Sequence, residues 1–170
     1  LQAESGVSMG VNRNKRSIAL NLKSAEGLNA LLRMVREADV LVHNFRPSVP
    51  KRLGIDFDRL TAINPRLIYC AVSGYGDSGP MKDKAGYDQV LQTMTGICAL
   101  QGKRGGPPEI VYGSVVDYYA AALLAGGVSS ALYERERSGL GQYVGISLLR
   151  SALTMQSARL IYVEGESLDI

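Results

Sequence analysis

Asp117 stands at a junction between two kinds of sequence. Before it lies Gly102-Lys103-Arg104-Gly105-Gly106-Pro107-Pro108, a loop whose composition forbids regular structure. After it, Tyr118-Tyr119-Ala120-Ala121-Ala122-Leu123-Leu124-Ala125-Gly126-Gly127 is rich in small residues and reads as a buried helix. A lone acid there lies near the positive end of the helix dipole, which favours its ionised form. Asp is also a preferred N-cap or first-turn residue, and capping alone would account for it. The chemistry open to such a group is covalent: carboxylates serve as nucleophiles and need no activating base, because they are ionised at neutral pH.

The other candidates close off chemistry. His43 is the only histidine and lies inside or beside an apolar strand, where a satisfied core role is expected rather than a base. With only Cys70 and Cys98 beside it, no zinc site can be assembled, and no metal is expected. No nucleophile elbow accompanies His43, and no G-x-x-x-x-G-K-[ST] run is present. Gly74-Tyr75-Gly76-Asp77-Ser78-Gly79 matches G-x-G-x-x-G. A dinucleotide fingerprint must open directly into a helix. Here Pro80-Met81-Lys82-Asp83-Lys84 follows, without apolar periodicity, so the nicotinamide or flavin reading is rejected.

Composition sets the wider bounds. An apolar share of 46% and a charged share of 21% over 170 residues are those of an ordinary globular domain. A formal charge of +3 is not that of a nucleic-acid binder. The basic residues gather at Arg13, Lys15, Arg16 and Lys23, at Arg46, Lys51 and Arg52, and at Lys82, Lys84, Lys103 and Arg104. Nearly all fall in loops or at element ends, where phosphates are held, although a solvated surface explains any single one. The longest apolar run, Tyr118 to Val128, is too short for a bilayer, so no membrane partner is expected. No secretory signal is visible, and cysteines inside apolar patterns point to reduced core thiols and a cytoplasmic setting. The chain begins at Leu1 without an initiator Met and reads as an excerpt.

The elements that must position Asp117 follow from periodicity. Leu1 to Lys15 has none and reads as loop; Ser17 to Leu22 reads as a strand. Ser24 caps a helix whose Leu28, Leu31, Leu32 and Val35 share one face. Asp39 to His43 is an apolar run of buried-strand type, and Asn44-Phe45-Arg46-Pro47 leaves its carboxyl end, the edge where ligands collect in open α/β sheets. A short helix with Leu60 and Ile63 stops at Asn64-Pro65, and Leu67 to Ser73 is the next strand. Tyr87 to Met94 reads as a helix with Val90, Leu91 and Met94 inward. The long helix runs from about Asp117 to Arg137 and ends at Ser138-Gly139-Leu140-Gly141. Gln142 to Ser147 is a strand, and Leu148 to Tyr162 a helix anchored by Leu149, Leu153, Met155 and Leu160. The expected fold is a single α/β domain over 1–170: a Rossmann-like open parallel sheet with helices on both faces, followed by a long buried helix.

Asn12-Arg13-Asn14-Lys15-Arg16-Ser17-Ile18-Ala19-Leu20-Asn21-Leu22-Lys23 resembles the family III CoA-transferases, which include carnitine CoA-transferases, formyl-CoA transferases and α-methylacyl-CoA racemases. Asn44 to Pro47, Asn64 to Tyr69, Ser73 to Gly76 with Gly79-Pro80, and Ser138-Gly139 with Gly141-Gln142 agree in order and spacing. The resemblance covers the chain from about Val11 onward and implies the family's larger domain, without its first strand and C-terminal small domain. It implies Asp117 as the catalytic nucleophile, and coenzyme A, as acyl-CoA, against Leu20, Asn21, Lys23, Asn44, Phe45, Arg46, Arg52, Tyr87 and Asp88. Ala85 replaces a lysine found in some transferases. Racemases have a catalytic His where this chain has Tyr87, a phenol with a pKa near ~10 that is a poor base for a carbon acid, so transferase is favoured over racemase or epimerase. A non-catalytic CoA-binding or assembly fragment is the remaining alternative. The implied reaction moves CoA from an acyl-CoA to a small carboxylic acid through an aspartyl-CoA thioester. Backbone N–H groups at the helix start are the expected oxyanion donors, and the implied assembly is an interlocked homodimer.

Overall fold

The computed structural model describes residues 6–103, 105–157 and 164–165. Its centre is a parallel sheet of three strands, β1 (Val40–His43), β2 (Ile68–Ser73) and β3 (Tyr143–Ser147), with β2 in the middle. Val40 pairs with Ile68 on one side, and Tyr69 with Tyr143 on the other. All three strands therefore end at one edge, at His43, Ser73 and Ser147.

β2 is buried on both faces, as its unbroken apolar sequence requires. Tyr69 and Ala71 face α2 (Ala25–Val35) and α4 (Phe57–Ile63), packing with Val35, Leu60 and Leu67. Ile68 and Cys70 face the other way, onto Ala131, Leu124 and Val128 of α6 (Val115–Ser138). Alternation along one strand thus builds helix, sheet and helix as three layers. A third cluster joins α5 (Asp88–Met94), α6 and α7 (Leu148–Gln156) through Leu91, Val116, Ala120, Leu148 and Ala152.

Several starts and stops read from sequence are present. Ser24 accepts a hydrogen bond from the Gly27 amide and caps α2. Asn64 ends α4 as expected, and its start is capped by Asp56, a cap not singled out in the sequence. Gly139, at φ 76°, terminates α6 in the left-handed conformation open to glycine.

Other expectations are corrected. Ser17 to Leu22 is not a strand: it pairs with no neighbour among the described residues, and Ile18 is 61% exposed. Leu22 alone reaches the core. Gly6–Val11, expected as loop, is a short helix, α1, whose end is closed by Asn12 donating to the Ser8 carbonyl. α3 (Ser48–Leu53) and a 3-10 turn at Ile97–Leu100 were not legible, being too short to show a period. In α5, Val90 and Met94 point outward; the buried positions are Asp88, Leu91 and Gln92. In α7 Leu149 packs on the third cluster as expected, but the buried residues are Leu148, Ser151 and Ala152, and Met155 is 37% exposed. Leu160 and the rest of the expected helix to Tyr162, and Arg104, lie outside the described residues.

The long helix is present, but only one stripe of it is buried, along Val116, Ala120, Ala131 and Arg135. Tyr118 and Tyr133 are exposed on the opposite side. At 24 residues, α6 is also longer than the apolar run read from sequence, and is long and apolar enough to match a membrane span by length and composition. Here it packs against the sheet instead. Gly127 permits the approach, since a Cβ there would stand 2.9 Å from Cγ1 of Val144. Arg135 anchors the far end, donating to Asp39 Oδ1 at 2.9 Å and to the Arg66 carbonyl at 3.2 Å, and so joins the helix to the N-terminal edge of β1 and β2.

Because Arg135 is buried, its removal leaves strand-edge carbonyls without their donor. Arg135→Ala is expected to lower stability by about 1–3 kcal/mol. Arg137→Ala, on the exposed side of the same turn, should stay within about 0.5 kcal/mol of the parent. Paired urea denaturation curves would read the difference, and equal losses would show that Arg135 is not an anchor.

Candidate functional site

The carboxyl edge of the sheet opens into a cleft of about 370 Å³. β1 delivers Asn44, Phe45 and Arg46 to it, β2 delivers Ser73 and Gly74, and Leu148 arrives directly after β3. The loop after β2 adds Lys82, Lys84, Ala85 and Gly86, and Tyr87, Asp88 and Asp117 complete the wall. Six of the residues singled out in the sequence are therefore brought together: Asn44, Phe45, Arg46, Tyr87, Asp88 and Asp117. Leu20, Asn21, Lys23 and Arg52 do not line the cleft. Asn21 accepts from the Lys23 amide and folds its segment over the start of α2, and Arg52 is exposed in the last turn of α3.

The glycine-rich run after β2 forms turns, with Gly76 at φ 93° and Gly79 at φ 88°, and no helix opens from it. Its structural work is close approach. Gly74 and Gly86 touch across the cleft floor, and a Cβ on Gly86 would lie 2.6 Å from the Gly74 Cα. Asp83 accepts from the Ser48 amide at 3.3 Å, which ties the lysine-bearing loop to the segment that carries Arg46. Lys82, Lys84 and Arg46 are exposed on the rim, and no ion pair among the described residues engages them.

His43 is a satisfied structural group, as expected. Tyr69 donates its hydroxyl hydrogen to the Ile55 carbonyl at 2.9 Å, so the contact at 2.8 Å between His43 Nε2 and Tyr69 must have the imidazole as donor. His43 Nδ1 correspondingly accepts from the Phe45 amide at 3.1 Å. Both nitrogens are committed to the neutral Nε2–H tautomer, which fixes the turn into Asn44 and Phe45. Burial lowers the His43 pKa, against a smaller opposing pull from Asp77. Tyr69, Tyr143, Phe57 and Phe45 extend this aromatic packing.

The helix start overturns part of the expectation for Asp117. It is not a lone acid, and it is not the cap. Asp88, 3% exposed, accepts through Oδ2 from the amides of Val116 at 2.7 Å and Asp117 at 3.0 Å. Its Oδ1 accepts from Gln92 Nε2 at 2.5 Å. The two amides expected to stabilise an oxyanion are therefore occupied. No hydrogen bond or ion pair among the described residues engages the Asp117 carboxylate, and the residue is exposed at the cleft wall. The helix dipole favours an easily ionised acid, and the surroundings of Asp117 act in the opposite direction. Partial burial raises the Asp117 pKa, and the neighbouring Asp88 carboxylate raises it further. Gln92, fully buried, is the residue that sequence reasoning missed. Its signal was available: Asp88, Leu91 and Gln92 stand at i, i+3 and i+4, a single helix face.

The chain is thus a parallel α/β domain whose sheet carries, at its carboxyl edge, a cation-rimmed cleft and an uncapped carboxylate. The chain belongs to CoA-transferase family III, whose model matches residues 1–167. It is 45% identical over 144 residues to acetyl-CoA:oxalate CoA-transferase from Acetobacter aceti, an alignment covering 84% of this chain and 37% of that protein. It is 42% identical over 145 residues to an acyl-CoA transferase from Fusarium pseudograminearum, covering 85% and 32%. Among solved structures, a CaiB/BaiF family protein from Brucella suis superposes with a TM-score of 0.85 at 35% identity, covering 88% of this chain and 39% of that one. The chain thus spans about a third of the length of these curated relatives.

A histidine whose folded pKa is depressed binds fewer protons than it does when unfolded, so stability falls as pH drops below its unfolded value of about 6.5. His43→Asn keeps an acceptor near the Nδ1 position and removes the titration. The parent is expected to lose more melting temperature than the variant between pH 7 and pH 5. Parallel thermal melts check this, and identical pH slopes would remove His43 from the account.

Proposed function

We propose that this chain carries the nucleophile and much of the acyl-CoA site of an enzyme that transfers CoA between carboxylic acids. The observation that carries the reading is the uncapped Asp117 carboxylate inside a cleft rimmed by Arg46, Lys82 and Lys84. The relatives' names, which include transfers to oxalate and between succinate and glutarate, support a small carboxylic acid as acceptor.

In this reading an Asp117 oxygen attacks the thioester carbonyl carbon of the donor. The C–S bond breaks, CoA leaves as thiolate, and a mixed anhydride forms. The thiolate attacks the aspartyl carbonyl, releasing the donor acid as carboxylate and leaving CoA as a thioester on Asp117. The acceptor carboxylate then attacks that thioester, and the expelled thiolate attacks the acceptor carbonyl of the new anhydride. The product is acceptor-CoA, and Asp117 is restored as carboxylate. A raised pKa suits the first step, since nucleophilicity rises with basicity among similar oxygen anions. Arg46, Lys82 and Lys84 offer charge to the phosphates of CoA. Leu20, Asn21, Lys23 and Arg52, outside the cleft, are assigned to the part of CoA that extends beyond it. A homodimer and a cytoplasmic setting belong to the same proposal.

With the full chain, acyl-CoA followed by hydroxylamine should place a hydroxamate on Asp117, and Asp117→Asn should reduce turnover by about 10³-fold or more. A label on another residue would sink the aspartyl mechanism. Activity should fall as pH drops through the raised Asp117 pKa, because the protonated acid cannot attack. Lys82→Ala with Lys84→Ala should raise KM for acyl-CoA by about tenfold, increasingly at low salt, with little change in kcat. An unchanged KM would remove these lysines from the site.

A further inference from the structure

The helix start holds a polar chain that the reaction just described does not use. Val111 pins Gln92 from both sides: its amide donates to Gln92 Oε1 at 2.9 Å, and its carbonyl accepts from Nε2 at 3.3 Å. The amide group of Gln92 therefore has one orientation, with Nε2 directed at Asp88 Oδ1. Asp88 Oδ1 is the acceptor that this donor meets, and Oδ2 is turned onto the amides of Val116 and Asp117. Asp88 and Gln92 are both buried, and they make these bonds across 19 to 29 residues of sequence.

An acid in the first turn of a helix would ordinarily interact with those amides itself. Its lone pairs would then be engaged and its anion stabilised. Here that place is taken. We propose that Asp88, oriented by Gln92, is a positioning residue for Asp117: it occupies the helix-start amides and so keeps the Asp117 carboxylate uncapped and directed to the cleft. This rests on the aspartyl reading of the site and adds to it the pair that keeps the nucleophile reactive.

The charges facing Asp117 come from several elements. α5 supplies Asp88 and the phenol of Tyr87, the segment after β1 supplies Arg46, and the loop after β2 supplies Lys82 and Lys84. Neutralising Asp88 removes the one anion among these and leaves three cations. It also weakens Asp88 as an acceptor, so the amides become available to Asp117. Both changes stabilise the Asp117 anion, so both move its titration the same way.

The test uses the full chain. Asp88→Asn, of nearly the same shape, should shift the acid limb of the kcat/KM profile to lower pH by about half a unit or more. It should also lower the plateau kcat by about tenfold, a loss of roughly 1.4 kcal/mol in transition-state stabilisation. An acid limb at the parent pH, with activity reduced only in proportion to the folded fraction, would show that Asp88 is a plain cap and overturn the proposal. If Asp88→Asn does not fold, Gln92→Met keeps the volume and the Asp88 charge but removes the orienting bond. It should lower kcat several-fold with KM for acyl-CoA unchanged, and a parent kcat in folded Gln92→Met would overturn the proposal. Hydroxylamine labelling in each protein separates the two levels of the argument. Label on Asp117 with an unmoved acid limb defeats only the positioning role, whereas label elsewhere defeats the aspartyl reading and the positioning role together.

Discussion

A strand buried on both faces leaves its ends as the place for polar chemistry, and β2 imposes that limit on the whole chain. Ile68, Cys70, Tyr69 and Ala71 are needed for packing on α6 on one side and on α2 and α4 on the other. Parallel pairing then brings the ends of β1 and β3 level with that of β2. The floor of the cleft is a consequence of this alignment: Arg46 follows β1, Gly74 follows β2, Leu148 follows β3. The N-terminal edge is closed by a different device, the Arg135 guanidinium holding Asp39 and the Arg66 carbonyl. One edge is tied shut and the other is left open to ligand.

The open edge is held in shape by contacts that cost little chain. His43 uses its two ring nitrogens to join Tyr69 to the Phe45 amide, so the turn after β1 is set by the strand that carries it. Gly74 and Gly86 bring two segments into backbone contact, an approach that any side chain would prevent. The Leu149 amide donates to the Gly74 carbonyl at 3.0 Å, which links the start of α7 to the same floor. A cleft built this way is set by backbone, and its walls are free to carry charge.

How far the sequence disclosed this depended on the kind of force involved. Continuous apolar runs and caps were legible because they act locally: Val40–His43, Ile68–Ser73, Ser24 and Gly139 all declare themselves. Ser17 to Leu22 has strand composition and no partner among the described residues, and pairing is a property of two segments, not of one. Val90 and Met94 misled because α5 buries a polar face, Asp88 and Gln92, beside Leu91. Apolar periodicity is blind to a polar group whose bonds are made elsewhere in the chain. The cleft residues were mostly visible from type and position, but the division of labour between two acids was not, since it depends on contacts 28 and 29 residues apart in sequence.

Under the proposed mechanism, that division answers a difficulty in using a carboxylate as a nucleophile at a helix start. The dipole and the free amides would hold the anion in place, and an anion held by hydrogen bonds is a weaker attacking group. Deleting the helix would remove the rigid support that orients the acid. Supplying a second carboxylate to satisfy the amides keeps the support and frees the first. The second acid must then be buried and fixed, or the two would exchange roles. Gln92, pinned to both backbone atoms of Val111, provides that asymmetry. Of two carboxylates at one helix terminus, the buried one holds the fold and the exposed one is left for chemistry.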